Sequence, residues 1–279
     1  MILTMLLFSL LDLSAKIATA SVPALEVIWF RYTVHLVLVT ALLRPWRDPA
    51  LWRPRRPGLQ VTRALMLTLN TSLNFFALQY LQLAQTVTIM FLSPLLIAML
   101  SALFLGERVG PRRWAAIVVG FVGIVVVTRP GFGDVHWAFL LSLGSVACFA
   151  VYVMLTRQLG QSETAASLIL YSALVPSVIL TPAMVPVFEW PSSPGLWGLL
   201  LVLGVLGGLG HYLLILAHRH LAANVLAPVT YTQIVWMILF GYLVFGDVPD
   251  GFTLLGAAIV ITSGIYLLAR ERVRARERA

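Results

Sequence analysis

Apolar residues fall along this chain in long unbroken runs, not in alternating or narrow helical stripes. Ten runs stand out, at approximately 2–20, 24–43, 62–82, 84–105, 113–129, 137–156, 164–185, 196–217, 222–245 and 252–269. Each is near the roughly 20 residues that a helix needs to cross about 30 Å of hydrocarbon. Backbone groups in lipid must pair within their own segment, so such runs predict helices. A membrane β-barrel would show alternating segments of about 10 residues, and none is present. Connections are short, and the longest runs from Arg44 to about Val61.

Composition supports the same class. Hydrophobic residues make up 60% of the 279 positions and charged residues 11%, against about 45–50% and about 25% in soluble domains. Mean hydropathy is +0.93. A water-soluble globule of this size has no room to hide that apolar surface. The net charge is +8, yet in so apolar a chain basic residues belong to membrane loops, and no nucleic-acid partner is expected. Cys148 is the single cysteine and cannot close an internal disulfide.

Arginine placement orients the spans. Arg44, Arg47, Arg53, Arg55 and Arg56 follow the second run, and Arg108, Arg112 and Arg113 follow the fourth. Arg157 follows the sixth, Arg219 the eighth, and Arg270, Arg272, Arg274, Arg276 and Arg278 the tenth. With ten spans, all of these lie on one side, and the other side's loops hold Arg129 with Asp134, Glu189, Asp247 and Asp250. The positive-inside rule makes the arginine-rich side cytoplasmic, with both termini on it, in an inner or plasma membrane. Ala18-Thr19-Ala20 imitates a signal-peptidase site, but no basic residue precedes it and Asp12 and Lys16 interrupt the apolar run, so no cleavage is expected.

A shift of 140 residues aligns the chain with itself. Leu73-Asn74-Phe75-Phe76-Ala77 falls on Leu213-Leu214-Ile215-Leu216-Ala217, Leu81 on Leu221, Phe91 on Tyr231, and Leu105-Gly106-Glu107 on Phe245-Gly246-Asp247. Five spans separate the partners, so the halves insert in opposite senses. Inverted repeats of this kind mark secondary transporters, with the substrate near the midplane between the halves.

The segment Leu92-Ser93-Pro94-Leu95-Leu96 to Leu105-Gly106-Glu107-Arg108, followed by Gly120 and Gly123, resembles the EamA-type repeat of the drug/metabolite transporter superfamily. So does Ala227-Pro228-Val229-Thr230-Tyr231 to Val244-Phe245-Gly246-Asp247-Val248-Pro249. Asp247 stands where Glu is usual, and Ile234 stands opposite Pro94. The resemblance implies an all-α integral membrane protein of ten transmembrane helices in two inverted five-helix repeats. Residues 1–132 and 133–270 would be the repeats and 271–279 a basic cytoplasmic tail. It further implies traffic of small metabolites by alternating access, often outward, with amino-acid exporters among the better-known members.

Several polar groups fall within the spans. Asp12 and Lys16 in the first span share a face at i, i+4 and are expected to pair or to line a central cavity. Asp12 is about ten residues from the inner end, hence about 15 Å deep. Arg31 and His35 form a second such pair, expected as a structural or coupling charge, with Arg31 anchored by Asp12, Glu26 or helix-end carbonyls. Asn70 and Asn74 in the third span carry both donors and acceptors, which suits a zwitterion or an interhelical bond. Beyond them lie Gln79, Gln82 and Gln85. His211 in the eighth span matches Thr71 in the first half, and the glycines 204, 207, 208 and 210 beside it fit close packing. Tyr152, Tyr231, Gln233 and Trp236 complete the expected cavity as an aromatic and amide lining for an apolar or aromatic side chain. Trp190 and Trp197 read as interfacial anchors.

Other chemistry is missing from the sequence. No phosphate-loop motif occurs, and Lys16 is the only lysine. No zinc-type spacing of His, Cys or Glu occurs, so neither a metal nor another cofactor is expected. Gly131-Phe132-Gly133-Asp134 imitates an intramembrane-protease motif but sits beside Pro130 in a turn-like loop. The reading is therefore a transporter and not an enzyme, in monomeric or homodimeric form. It moves amino acids, apolar and aromatic ones first. A membrane enzyme or sensor on a transporter-like scaffold, or a carrier of drugs or sugar phosphates, is the alternative.

Overall fold

The computed structural model describes residues 1–105, 111–128, 136–220, 226 and 229–278. Gly106-Glu107-Arg108, Arg129, Gly131 to Asp134, Leu221 and Ala227-Pro228, used in the sequence readings, lie outside the described residues. Within them the chain is helical, with no strand. The helices are α1 (Ile2–Ala18), α2 (Ala24–Leu43), α3 (Pro57–Leu78), α4 (Leu83–Met90), α5 (Ser93–Leu105), α6 (Pro111–Thr128), α7 (Ala138–Leu159), α8 (Ala165–Met184), α9 (Pro194–His220), α10 (Gln233–Phe240) and α11 (Gly251–Arg278).

Local chemistry sets many of these ends. Pro57, Pro111 and Pro194 open α3, α6 and α9, where a missing N–H costs nothing. Thr164 accepts the Ser167 N–H at the start of α8, and Asp250 accepts the Thr253 N–H at the start of α11. Gln82 and Gln85, met in the sequence as polar groups near a span end, form a capping box for α4. A π turn at Gly241–Phe245 ends at Gly246, whose φ of 69° needs a residue without a Cβ.

Four helices are long and apolar enough to cross a bilayer: Ala24–Leu43, Ala138–Leu159, Ala165–Val187 and Pro194–His218. Leu83–Ile97, Trp114–Thr128, Gln233–Phe245 and Gly251–Leu267 are shorter apolar helices. With α4 and α5 taken together, ten segments fit the described chain. The protein is a multi-pass integral membrane protein.

Two spans differ from expectation. The run 84–105 was expected as one helix, but it is interrupted at Phe91 and Leu92, where the Leu92 N–H bonds the Ile89 carbonyl at 3.0 Å. The cause is Pro94, which lacks an N–H and crowds the residues before it. The run 222–245 is interrupted at Tyr231 and Thr232, where the Thr232 N–H bonds the Val229 carbonyl at 3.2 Å. There the Thr232 hydroxyl donates to the same carbonyl at 2.7 Å, competing with the helical ladder. Both interruptions are tightened single turns of 3₁₀ type.

The principal packing partners are α3 with α7, α1 with α9, α6 with α11, α2 with α8 and α9, and α3 with α8. In addition α1 packs on α10, α5 on α7, and α4 on α10. Where α6 crosses α11, a Cβ on Gly256 would lie 2.6 Å from the Gly123 carbonyl oxygen, so the two backbones approach as only glycine permits. The α9 glycines pack against α1 and α2 as expected. A Cβ on Gly204 would meet Val34, on Gly207 the Arg31 guanidinium, on Gly208 the His35 ring, and on Gly210 the Phe8 ring.

Candidate functional site

A cavity of about 340 Å³ lies among α1, α3, α7, α9 and the two interrupted spans. Its wall includes Asp12, Arg31, Asn70, Thr71, Asn74, His211 and Gln233. Ser93, Pro94 and Thr230, beside the two tightened turns, also border it, and Phe8, Phe75, Phe91 and Phe149 make it largely apolar. At one end it reaches Met1, Arg157 and His218. Of the residues expected from sequence, Lys16, Tyr152, Tyr231, Trp236 and His35 stand outside this wall.

Asp12 and Lys16 do not pair. Asp12 Oδ1 accepts from Asn74 Nδ2 at 3.0 Å. Lys16 turns the other way, donates to the Leu81 carbonyl at 2.7 Å, and forms an ion pair with Asp247 at 3.6 Å. Its ammonium also lies 5.0 Å from the centre of the Phe245 ring. One turn separates the two α1 residues, so Lys16 sits beyond Asp12 on the side away from Met1. Three segments meet there: α1, the α3–α4 joint and the loop before α11. An i, i+4 spacing permitted the local pair, but a distant carboxylate and a helix-end carbonyl satisfy the ammonium better than one neighbour.

Arg31 likewise departs from its expected anchors. It donates to Thr71 Oγ1 at 2.9 Å and to His211 Nε2 at 3.0 Å, and it stacks 4.5 Å from the Tyr32 ring centre. Glu26 instead accepts the Glu189 N–H at 2.9 Å. A guanidinium has no acceptor, so His211 Nε2 must accept. The imidazole proton then sits on Nδ1, facing Tyr152 Oη at 3.4 Å. Tyr152 thus stands behind His211 and not in the cavity. Tyr32 Oη completes the cluster by donating toward Thr71 at 2.7 Å.

Asn70 bridges helices, donating to the carbonyl and hydroxyl of Ser145 on α7. Tyr231 packs edge-on against Phe91, ring centres 4.9 Å apart, and its hydroxyl is buried against Gly264. Trp236 stacks on Phe240. His35 is buried against Gly208, with Nε2 unpartnered. Trp190 is exposed and adjoins Trp197.

Sequence reading missed Arg63. It is fully buried and donates to Gln60 at 3.2 Å, to Ser172 at 3.0 Å, to Thr156 at 3.5 Å and to the Leu168 carbonyl. These bonds fasten α3 to α7 and α8. Its place beside the basic loop hid it, although it falls inside the apolar run. Among the described residues no cluster of His, Cys, Asp or Glu has the makings of a metal site.

The EamA-like transporter family matches this chain twice, at residues 1–129 and 136–270. The chain belongs to that family. It is thereby a member of the drug/metabolite transporter superfamily. The pseudopaline exporter CntI of Pseudomonas aeruginosa is 30% identical over 262 residues, covering 93% of this chain and 91% of that protein. The riboflavin transporter of Vibrio cholerae is 26% identical, covering 97% and 92%. The S-adenosylmethionine uptake transporter of Rickettsia bellii is 27% identical, covering 94% and 89%. A solved crystal structure shares the fold with a TM-score of 0.64 at 21% identity, covering 96% of this chain and 97% of that one. This EamA-family chain is accordingly a membrane transporter of small metabolites.

Proposed function

We propose that the protein exports small amphiphilic metabolites across an inner or plasma membrane by alternating access, with apolar and aromatic amino acids foremost. The observation that carries this reading is the cavity. It is largely apolar, it holds a small set of polar groups, and both halves of the chain supply its wall. Such a lining encloses an apolar side chain and hydrogen-bonds a polar head. It suits a dianionic sugar phosphate poorly, because that ligand calls for several cations with free donors.

Two features favour alternating access. The cavity reaches Met1 and Arg157 at one end, while the Lys16–Asp247 tie lies outside its wall, one α1 turn past Asp12 on the side away from Met1. In addition, several of the principal contacts recur when each span is exchanged for its counterpart in the other half. The contact of α3 with α7 maps onto that of α9 with α1, α2 with α9 onto α8 with α3, and α5 with α7 onto α10 with α1. Phe91 and Tyr231, counterparts under the 140-residue shift, touch each other. This supports two inverted repeats, 1–132 and 133–270, followed by a basic tail at 271–279. The arginine bias supports cytoplasmic termini. Among relatives named for uptake and for export, the 30%-identical one is named an exporter, and export is the direction we assign.

Flux assays on purified protein in liposomes, with a panel of amino acids, sugar phosphates and cationic drugs, test the reading. Saturable amino-acid counterflow is the expected result. Flux of sugar phosphates or drugs without competition by any amino acid removes the substrate assignment. Chemical turnover without flux removes transport itself.

A further inference from the structure

Asp12 and Arg31 are opposite charges in one cavity wall, yet they form no ion pair with each other. Each keeps unused hydrogen-bonding capacity. Asp12 Oδ1 takes the Asn74 amide, and Oδ2 has no partner among the described residues. Of the five N–H groups of a guanidinium, Arg31 places one on Thr71 and one on His211. Its Nε is buried and without an acceptor. The residue is 3% exposed, and neither Thr71 nor His211 carries a negative charge to offset it. Burying an unneutralised guanidinium is costly, and leaving a half-buried carboxylate on one bond adds to that cost. Side chains that only held helices together would lower that cost by pairing.

Their neighbours keep them apart. Asn74 holds Asp12 from α3, while Thr71, one turn earlier on the same helix, holds Arg31. Gly207 makes room for the guanidinium, since a Cβ there would lie 3.1 Å from Nε. The remaining titratable side chains in the wall are His211, which accepts from Arg31, and Arg157 and His218 at the mouth, where the Met1 amine also lies. Asp12 is the only carboxylate among the described residues of that wall.

We infer that Asp12 and Arg31 are the two poles of one ligand site, whose ligand carries a positive group and a negative group at separate positions. The cationic group, an ammonium or its like, sits on Asp12 Oδ2. The carboxylate or equivalent anion sits against the unused N–H groups of Arg31. The apolar body lies against Phe75 and Phe91. This rests on the transport reading above and adds its charge polarity. It also assigns Asn74, Thr71 and His211 as positioning residues that hold the poles separate.

The test is competition in counterflow by three matched probes: phenylalanine with both charges, phenylalaninamide with the positive one, and N-acetylphenylalanine with the negative one. Hydrogen bonds to charged groups predict that the zwitterion competes about tenfold better or more than either singly charged probe. Asp12→Asn should abolish the advantage over N-acetylphenylalanine and keep that over the amide. Arg31→Gln should do the reverse. Where Arg31→Gln fails to fold, Arg31→Lys keeps the charge and should retain the preference for a carboxylate at reduced strength. The polarity is overturned if folded variants lose affinity for all three probes equally, or if singly charged probes match the zwitterion in the native protein. It is also overturned if Arg157→Gln alone erases the carboxylate preference. Absence of flux for every probe and every member of the wider panel instead removes the transport reading.

Discussion

At the scale of single residues, the contacts that matter join positions far apart in sequence. Tyr231 Oη is buried, unpartnered and pressed on Gly264, where a Cβ would lie 1.7 Å from it. Gly264→Ala should therefore lower the thermal midpoint in detergent, by an overpacking cost of about 1–3 kcal/mol. Adding Tyr231→Phe removes the obstructing oxygen and should recover part of the loss. An additive double variant would show that the two side chains do not meet. The polar groups of the cavity were legible in the sequence because lipid makes an internal Asp, Asn or His costly and hence conspicuous. Their partners were not. A period of i, i+4 suggested Asp12 with Lys16, whereas Asn74 and Asp247 take those roles. Helical spacing says which side chains share a face, but not which other helix that face meets. Tyr152 was misplaced into the cavity for the same reason, since an aromatic in mid-span looks alike whether it forms the wall or supports it.

At the scale of elements, run length located most helices within a few residues, because it follows from solvation alone, but α3 starts earlier, at Pro57, and α11 runs on to Arg278. The interruptions at Phe91–Leu92 and Tyr231–Thr232 were not legible. Hydropathy is blind to a tightened turn, and the second interruption has no proline beneath it. These turns matter for function, since residues next to them, Pro94 and Thr230, border the cavity. Pro94→Ala restores an N–H and lets α4 run into α5. It should slow counterflow more than it weakens competition, and it should leave the zwitterion's advantage over the singly charged probes unchanged, because Asp12 and Arg31 lie on other helices. Equal loss of rate and affinity, measured in the same liposomes, would show that the interruption shapes the binding site and not the conformational cycle.

At the scale of the whole molecule, the topology we propose, ten spans with cytoplasmic termini, would put the loop after α2 and the loop after α8 on opposite faces. Trp46 and Trp190 are 65% and 78% exposed in those loops, so both accept a reporter. In a Cys148→Ala background, Trp46→Cys and Trp190→Cys should react with an impermeant maleimide from opposite sides of oriented, sealed vesicles. Reaction from the same side would mean that the span count is wrong. The 140-residue repeat is faint in identities, and one pair that it aligns, Phe91 and Tyr231, meets in space. Similarity this low survives because packing in lipid demands size and small-residue placement more than identity.

In the alternating-access cycle that we propose, the cavity must open past the Lys16–Asp247 tie for transport to occur. The most direct measurement is counterflow through a protein in which that tie is made covalent and reversible. Lys16→Cys and Asp247→Cys, in the Cys148→Ala background, are bridged by a short thiol-specific reagent that reductant removes. Counterflow should fall to that of protein-free liposomes when the bridge forms and return when it is cleaved. Full counterflow through bridged protein would contradict alternating access by this route.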